Sequence, residues 1–264
     1  MDLELIRKIE SYAAHAWPAR EVTALQGWSL RSNLGITRRA NSVLAEAHGS
    51  ERGLAEKLDH VEVWYAERGQ PARYQLCPAS APPDLDRILA TRGYRATATT
   101  LVQVASLVTV VSNSGVTANV AVRRMDVPDD AWLQAYGAAE DVRPAALEAR
   151  RAILGRITRP TCYLLIEAET QAVATGLAVL HGDWAGLFCV ATHAAWRRRG
   201  LATCVVRGLA EWAMLHGATQ AYLQVMQENV AACALYARLG FSTLYSYHYR
   251  ERIKPSTDVT RIHG

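Results

Sequence analysis

No two cysteines of the 264-residue chain lie close together. Cys77, Cys162, Cys189, Cys204 and Cys233 are scattered, which excludes the paired spacing of a zinc site and reads as reduced, mostly buried small hydrophobes. That usage leads us to expect a cytoplasmic protein. An uncharged apolar run of membrane-spanning length is also missing, so no membrane association is expected. The opening stretch MDLELIRKIESYAAHAW mixes charges through its first turns and does not read as a secretory leader. Neither Gly-x-Gly-x-x-Gly nor Gly-Lys-Ser/Thr occurs, which leaves a dinucleotide fold and a P-loop NTPase unsupported. The net charge of +4 is spread along the chain with no aromatic stacking series beside it, so nucleic acid is not expected as a partner.

What is present is a globular composition, 50% hydrophobic and 20% charged, enough for one sizeable core or two small ones. Leu5, Ile9, Tyr12 and Ala16 predict an opening helix that Pro18 ends. GWSLRSN and ITRRANSV read as a pair of strands, 51–67 as a helix, ARYQLC as a strand, PPDLDRILATRG as a helix and TLVQVASLVTVV as a strand. Turn formers near 112–118 mark a boundary. Beyond it NVAVRRM, CYLLIEAETQAVATGLAVL, AGLFCV, AYLQV and FSTLYSYHYR supply strands, and VPDDAWLQAYGAA, 198–216 and 229–239 supply helices. The pattern predicts an α/β protein built on a mixed, twisted sheet flanked by helices. RILATRGYRAT and ALYARLGFSTL end late helices alike in the two halves, a hint of an internal repeat.

The stretch WRRRGLATCVV follows a predicted strand and opens a predicted helix whose buried side would carry Leu201, Val205, Leu209, Trp212 and Leu215. Small residues at Gly200 and Ala202 leave backbone N–H groups uncovered at the helix start, where the dipole also favours an anion. The flanking Arg197, Arg198 and Arg199 either pair with that anion or merely solvate the helix start. Further on, Asn229, Ala232 and Tyr236 are three and four apart and share one helix face.

Arg197, Gly200 and Ala202 fill a pattern that resembles the acyl-coenzyme-A signature of the GCN5-related N-acetyltransferase (GNAT) superfamily. LQVMQENVAACALYARLGF resembles that superfamily's second signature, in which Asn is followed seven residues later by Tyr and then Leu-Gly-Phe. The resemblance implies a GNAT fold and acetyl-CoA as acyl donor. It places the pyrophosphate on the amides of Arg198, Arg199, Gly200, Leu201, Ala202 and Thr203, and the pantetheine arm along Phe188, Cys189 and Val190. The strand near Tyr222 should splay from that strand. Asn229 would cap its helix or bond the arm, and Tyr236 would be the catalytic acid that protonates the leaving thiolate. A backbone N–H near Val190 would hold the oxyanion of a direct attack by an amine, with Cys189 serving only in packing.

Many relatives carry a glutamate on the strand leading into the signature, but Gly186, Leu187 and Phe188 stand there in this chain. The general base is therefore open among Glu167, His181, Asp183, His193 and Glu228, with His193 also able to act only as a loop former. The first half is similar to a partner domain of the same superfamily that has lost its cofactor signature. It either packs on the second half or recognises substrate, with Arg38, Arg39 and Asn41 facing a shared cleft and Trp28 and Trp64 in packing roles. Two adjacent strand arginines face opposite ways, so at most one would enter. We thus expect a degenerate domain at 1–112, a catalytic domain at 119–250 and a tail at 251–264. The expected activity is N-acetylation of a small molecule, amino acid or peptide amine by a monomer or homodimer. Transfer of a longer acyl group, transfer to an alcohol, and coenzyme A binding without catalysis are the alternatives.

Overall fold

A computed structural model describes residues 1–46, 53–115 and 120–252. The chain runs α1 (Leu3–Ala16), β1 (Glu21–Leu25), β2 (Trp28–Ser32), β3 (Val43–Leu44), α2 (Leu54–Ala66), β4 (Arg73–Leu76), α3 (Leu85–Thr91), β5 (Arg95–Ser106) and α4 (Leu107–Asn113). It continues with β6 (Ala121–Met125), α5 (Asp130–Ala139), α6 (Pro144–Leu154), β7 (Thr161–Ala168), β8 (Gln171–His181), β9 (Trp184–Thr192), α7 (Leu201–Leu215), β10 (Gln220–Met226), α8 (Val230–Arg238) and β11 (Ser242–Glu251). Of the expected segments, the first residues of the 51–67 helix, part of the 112–118 boundary and all but two residues of the tail lie outside the described residues.

The strands form one mixed sheet in the order β1-β2-β3-β4-β11-β5-β10-β9-β8-β7-β6. Among the described residues only β3 with β4 and β9 with β10 pair in parallel. Tight turns carry the antiparallel ladders: Gln26-Gly27 and Glu169-Thr170 both have positive φ at both positions, the geometry that matches strand twist in a two-residue hairpin. α1 starts because the Asp2 carboxylate accepts the N–H groups of Glu4 and Leu5 at 3.0 Å each. Its buried side is Ile6, Ile9, Ala13 and Ala16.

The two halves exchange strands. β4–α3–β5 in the first half and β10–α8–β11 in the second have the same order, yet β5 pairs with β10 and β11 pairs with β4. β5 and β11 then pair with each other at the centre. The helix ends that look alike in sequence close alike in space. The N–H of Gly93 donates to Ala90 and that of Tyr94 to Leu89, while Gly240 donates to Ala237 and Phe241 to Tyr236. Gly93 and Gly240 have φ of 85° and 92°, which only glycine takes without strain.

One apolar layer joins α1, α5 and α6 to the face of the sheet that carries Phe188, Tyr222 and Tyr247. A second joins α4, α7 and α8 to the other face, and a third seals α2 and α3 over the first strands.

Several local expectations are corrected. LVTVV, after Ser106, is not strand: Leu107 and Val110, three apart, bury the inner side of α4 instead. ITRRANSV is mostly loop, with strand only at Val43–Leu44. The cause is Asn41, whose Oδ1 accepts the N–H groups of Asn33 (2.7 Å) and Gly35 (2.9 Å) while Nδ2 donates to the carbonyls of Ile36 and Thr37. The helix expected from 198 begins at Leu201, since Arg198 and Gly200 have φ of 62° and 79° and cannot lie within it. On α7, Trp212 is half-buried and Leu215 exposed; Cys204, Val206 and Ala213 bury in their place. β1 and α6 were not foreseen from the pattern.

Candidate functional site

β9 and β10 pair only from Trp184/Gln220 to Leu187/Leu223, although β9 runs on to Thr192 and β10 to Met226. Beyond Leu187 the two strands diverge, as expected for the strand bearing Tyr222. At the same point β9 bulges: Leu177 faces Phe188 but Thr175 faces Ala191, so Cys189 and Val190 together oppose Gly176. Cys189 has φ of 52°, and its carbonyl accepts the Thr175 hydroxyl at 3.1 Å.

α7 starts beside this gap. Its N-cap is Gly200, and no side chain caps it. The first return bond is from Cys204 N–H to the Gly200 carbonyl, which leaves the Leu201, Ala202 and Thr203 N–H groups free of any side-chain acceptor. α8, by contrast, is capped by the Asn229 side chain, which accepts the Ala232 N–H at 3.1 Å. Tyr236, one face with Asn229 and Ala232, is buried edge-on to Phe241 at 5.8 Å, and burial pushes its hydroxyl up to about 12.

These parts enclose a cleft of about 400 Å³. Val190, Arg197, Arg198, Gly200, Leu201, Ala202, Thr203, Asn229, Ala232 and Tyr236 line it. Phe188, Cys189 and Arg199 do not. Phe188 turns to the opposite face and meets the Tyr222 ring at 5.9 Å. Desolvation pushes the Cys189 thiol up to about 12, which suits packing and not nucleophilic attack. Arg199 is exposed and lies over the Trp196 ring at 4.6 Å. Arg197 secures the loop, its Nε donating to the Thr192 carbonyl at 3.2 Å.

The cleft also holds a carboxylate that sequence reasoning missed, Glu140, directly after α5. Its negative charge helps to raise the Tyr236, Tyr136 and Cys189 groups. Nothing in the local sequence marks it, because it reaches the cleft only through the packing of α5 on β8 and β9.

A family described as "Probable histone acetyltransferase Rv0428c C-terminal" matches residues 4–252. The chain belongs to the GNAT superfamily. It is 31% identical over 245 residues to "Uncharacterized N-acetyltransferase YobR" of Bacillus subtilis, covering 93% of this chain and 98% of that one. It is 28% identical over 264 residues to "Probable histone acetyltransferase Rv0428c" of Mycobacterium tuberculosis, covering 96% and 75%. A solved structure of a GCN5-related N-acetyltransferase from Kribbella flavida shares the fold with TM-score 0.69 at 15% identity, covering 95% and 96%. The mixed twisted sheet with flanking helices is thus a GNAT fold, large enough for two GNAT-like halves.

Within this GNAT fold the five base candidates lie apart from the cleft lining. His181 and Asp183 are at the far end of the β8–β9 hairpin. Glu167 pairs with Arg123 at 3.7 Å, Glu228 is exposed before α8, and His193 is exposed while its carbonyl accepts the Trp196 N–H. On β9 the space beside Gly186 is filled by the Tyr222 and Phe188 rings. In the first half, Arg38 turns to Glu251 at 2.7 Å, Asn41 is spent on its loop, and Arg39 reaches Phe188. Trp28 and Trp64 are packing residues, buried in the third apolar layer.

Proposed function

We propose that the chain is an acetyl-CoA-dependent N-acetyltransferase that transfers acetyl directly to the amine of a small molecule, amino acid or peptide. The observation that carries this reading is the meeting, in one cleft, of an uncapped helix start, a strand bulge beside diverging strands, and a buried tyrosine. Those residues fit the donor. The Leu201, Ala202 and Thr203 amides with Arg198 suit a pyrophosphate, Ala202 leaves room for it, and Val190, outside both ladders, has backbone groups to offer an arm. Bound acetyl-CoA supplies an acyl carbon activated as a thioester.

The remaining chemistry belongs to the chain. A C–N bond forms to the acetyl carbon as the C–S bond breaks, and the Tyr236 hydroxyl, kept protonated by burial, gives its proton to the sulfur. Glu140 accepts the proton that the acceptor nitrogen sheds, and Cys189 forms no bond. We assign the catalytic domain to 119–250, a degenerate GNAT-like domain to 1–112 and a tail to 251–264, whose first residue, Glu251, still belongs to β11. Five unpaired cysteines favour a reducing, cytoplasmic setting. Among the described residues no helix is long and apolar enough to cross a membrane.

The test is free-thiol release from acetyl-CoA across a panel of amines, together with thermal unfolding. At a hundredfold excess over Kd the donor should stabilise the fold by about 2.7 kcal/mol. An unchanged melting temperature at saturating acetyl-CoA would overturn the reading.

A further inference from the structure

Two arginines flank the β9 bulge from the side of the sheet opposite α7 and α8, and neither has an acidic partner among the described residues. Arg39 comes from the Asn41-stapled loop. Its guanidinium lies 5.1 Å from the Trp17 ring and 5.6 Å from the Phe188 ring, and its buried Nη1 has no hydrogen-bond partner. Arg150 comes from α6. Its Nη1 donates to the Tyr136 hydroxyl at 2.9 Å, its guanidinium lies 5.4 Å from that ring, and its buried Nε is unpartnered. Their sequence neighbours behave otherwise, since Arg38 pairs with Glu251 and Arg151 with Asp130, each at 2.7 Å.

Both guanidinium groups lower the Cys189 thiol and the Tyr136 hydroxyl against the effect of burial, so they share the neighbourhood of the bulge. Two half-buried like charges set beside aromatic rings are unfavourable without a counter-charge. A guanidinium fork with vacant donors matches a carboxylate, and the aromatic seats fix its direction in advance. The bulge is also where the acyl carbon would sit in the proposed function, on which this step rests.

The geometry points to an acceptor that carries an anionic group beside its amine, a small amino acid-like carboxylate bound by Arg39 and Arg150. The reaction is the acetyl transfer already described: the amine nitrogen gains the acetyl carbon and loses a proton to Glu140, and the sulfur leaves with the proton of Tyr236. A basic peptide would meet repulsion from both arginines.

The experiment compares kcat/KM for α-amino acids, their carboxamides, phosphate-bearing amines such as phosphoethanolamine, and a lysine-rich peptide. A carboxylate acceptor should exceed its carboxamide by about 10- to 100-fold, as the loss of one or two charge-assisted hydrogen bonds implies. Arg39→Gln and Arg150→Gln should each reduce that ratio, chiefly through KM, while thermal protection by acetyl-CoA persists. Arg39→Lys, which keeps the charge without the fork, tests the same point should Arg39→Gln unfold. Equal use of carboxamides, or preference for the lysine-rich peptide, overturns the inference and leaves the acetyltransferase reading standing. Preference for phosphate over carboxylate overturns the carboxylate assignment. Acetyl-CoA binding without transfer to any acceptor overturns both readings.

Discussion

The hydroxyl of Tyr222 stands 2.5 Å from the place a Cβ on Gly186 would occupy, and the Phe188 ring is 2.6 Å from the same point. Tyr222 is fully buried, so it cannot swing aside. Gly186→Ala should therefore overpack this face of β9 and cost about 1–3 kcal/mol. The Tyr222 hydroxyl has no hydrogen-bond partner among the described residues, so Tyr222→Phe should be neutral or stabilising and should recover part of the loss in the double variant. Urea unfolding of the four proteins checks both statements; additive effects would show that the two positions do not compete for space.

Ala202 separates cofactor binding from fold stability. Asp there would place a carboxylate at an uncapped helix start, which favours the free protein by about 0.3–1 kcal/mol. The same carboxylate would repel a pyrophosphate. Ala202→Asp should raise the melting temperature of the free chain yet abolish the upward shift on adding acetyl-CoA. Retained protection would remove the α7 start as the anion seat.

The lining of the cleft was legible where it is local and illegible where it depends on distant packing. Gly200, Ala202, Asn229 and Tyr236 announce themselves because backbone conformation, capping and i,i+3/i+4 spacing are written in short stretches. The divergence of β10 was legible too, through the signature that follows it. Glu140, at the end of α5, and Arg150, within α6, were not, since each is an ordinary charged residue until α5 and α6 pack on the sheet. Strand exchange between β5 and β11 has no local signal, because both strands suit either neighbour. The ITRRANSV segment misled for a different reason: its alternation is strand-like, but four hydrogen bonds from one asparagine outweigh the strand propensity.

Tyr236→Phe should leave acetyl-CoA binding intact and lower kcat by on the order of 100-fold near neutral pH, the usual worth of a positioned acid. With the hydroxyl pushed up to about 12, Tyr236 stays protonated throughout the working range, so any alkaline limb below about pH 11 belongs to another group. Glu140→Gln should reduce kcat/KM most at low pH, where more of the amine is protonated and needs a base. Rate profiles against pH decide this, and a variant whose profile parallels the parent excludes Glu140 as the proton acceptor.

His181 sets the acid stability of the fold. Its ring is buried against Tyr12 at 4.7 Å, neither nitrogen meets a hydrogen-bond partner among the described residues, and burial, with Arg159 and His15 adding to it and the Val179 backbone opposing it, brings its pKa down to about 4. Above pH 6.5 the ring is neutral in both folded and unfolded chains, and its contribution is fully present. As the pH falls from 6.5 towards 4 the unfolded chain takes up a proton that the native ring refuses, so stability is lost across that window, by about 3 kcal/mol in all. Glu10, buried and raised by desolvation, works in the opposite direction, favouring the fold at lower pH. The contrast between parent and His181→Phe isolates the histidine, because phenylalanine keeps the stack on Tyr12 and cannot titrate. Denaturant unfolding at pH 7.5 and 4.5 should show the variant losing about 2–3 kcal/mol less than the parent. Equal losses in the two proteins would mean that His181 finds a proton acceptor or solvent in the folded state.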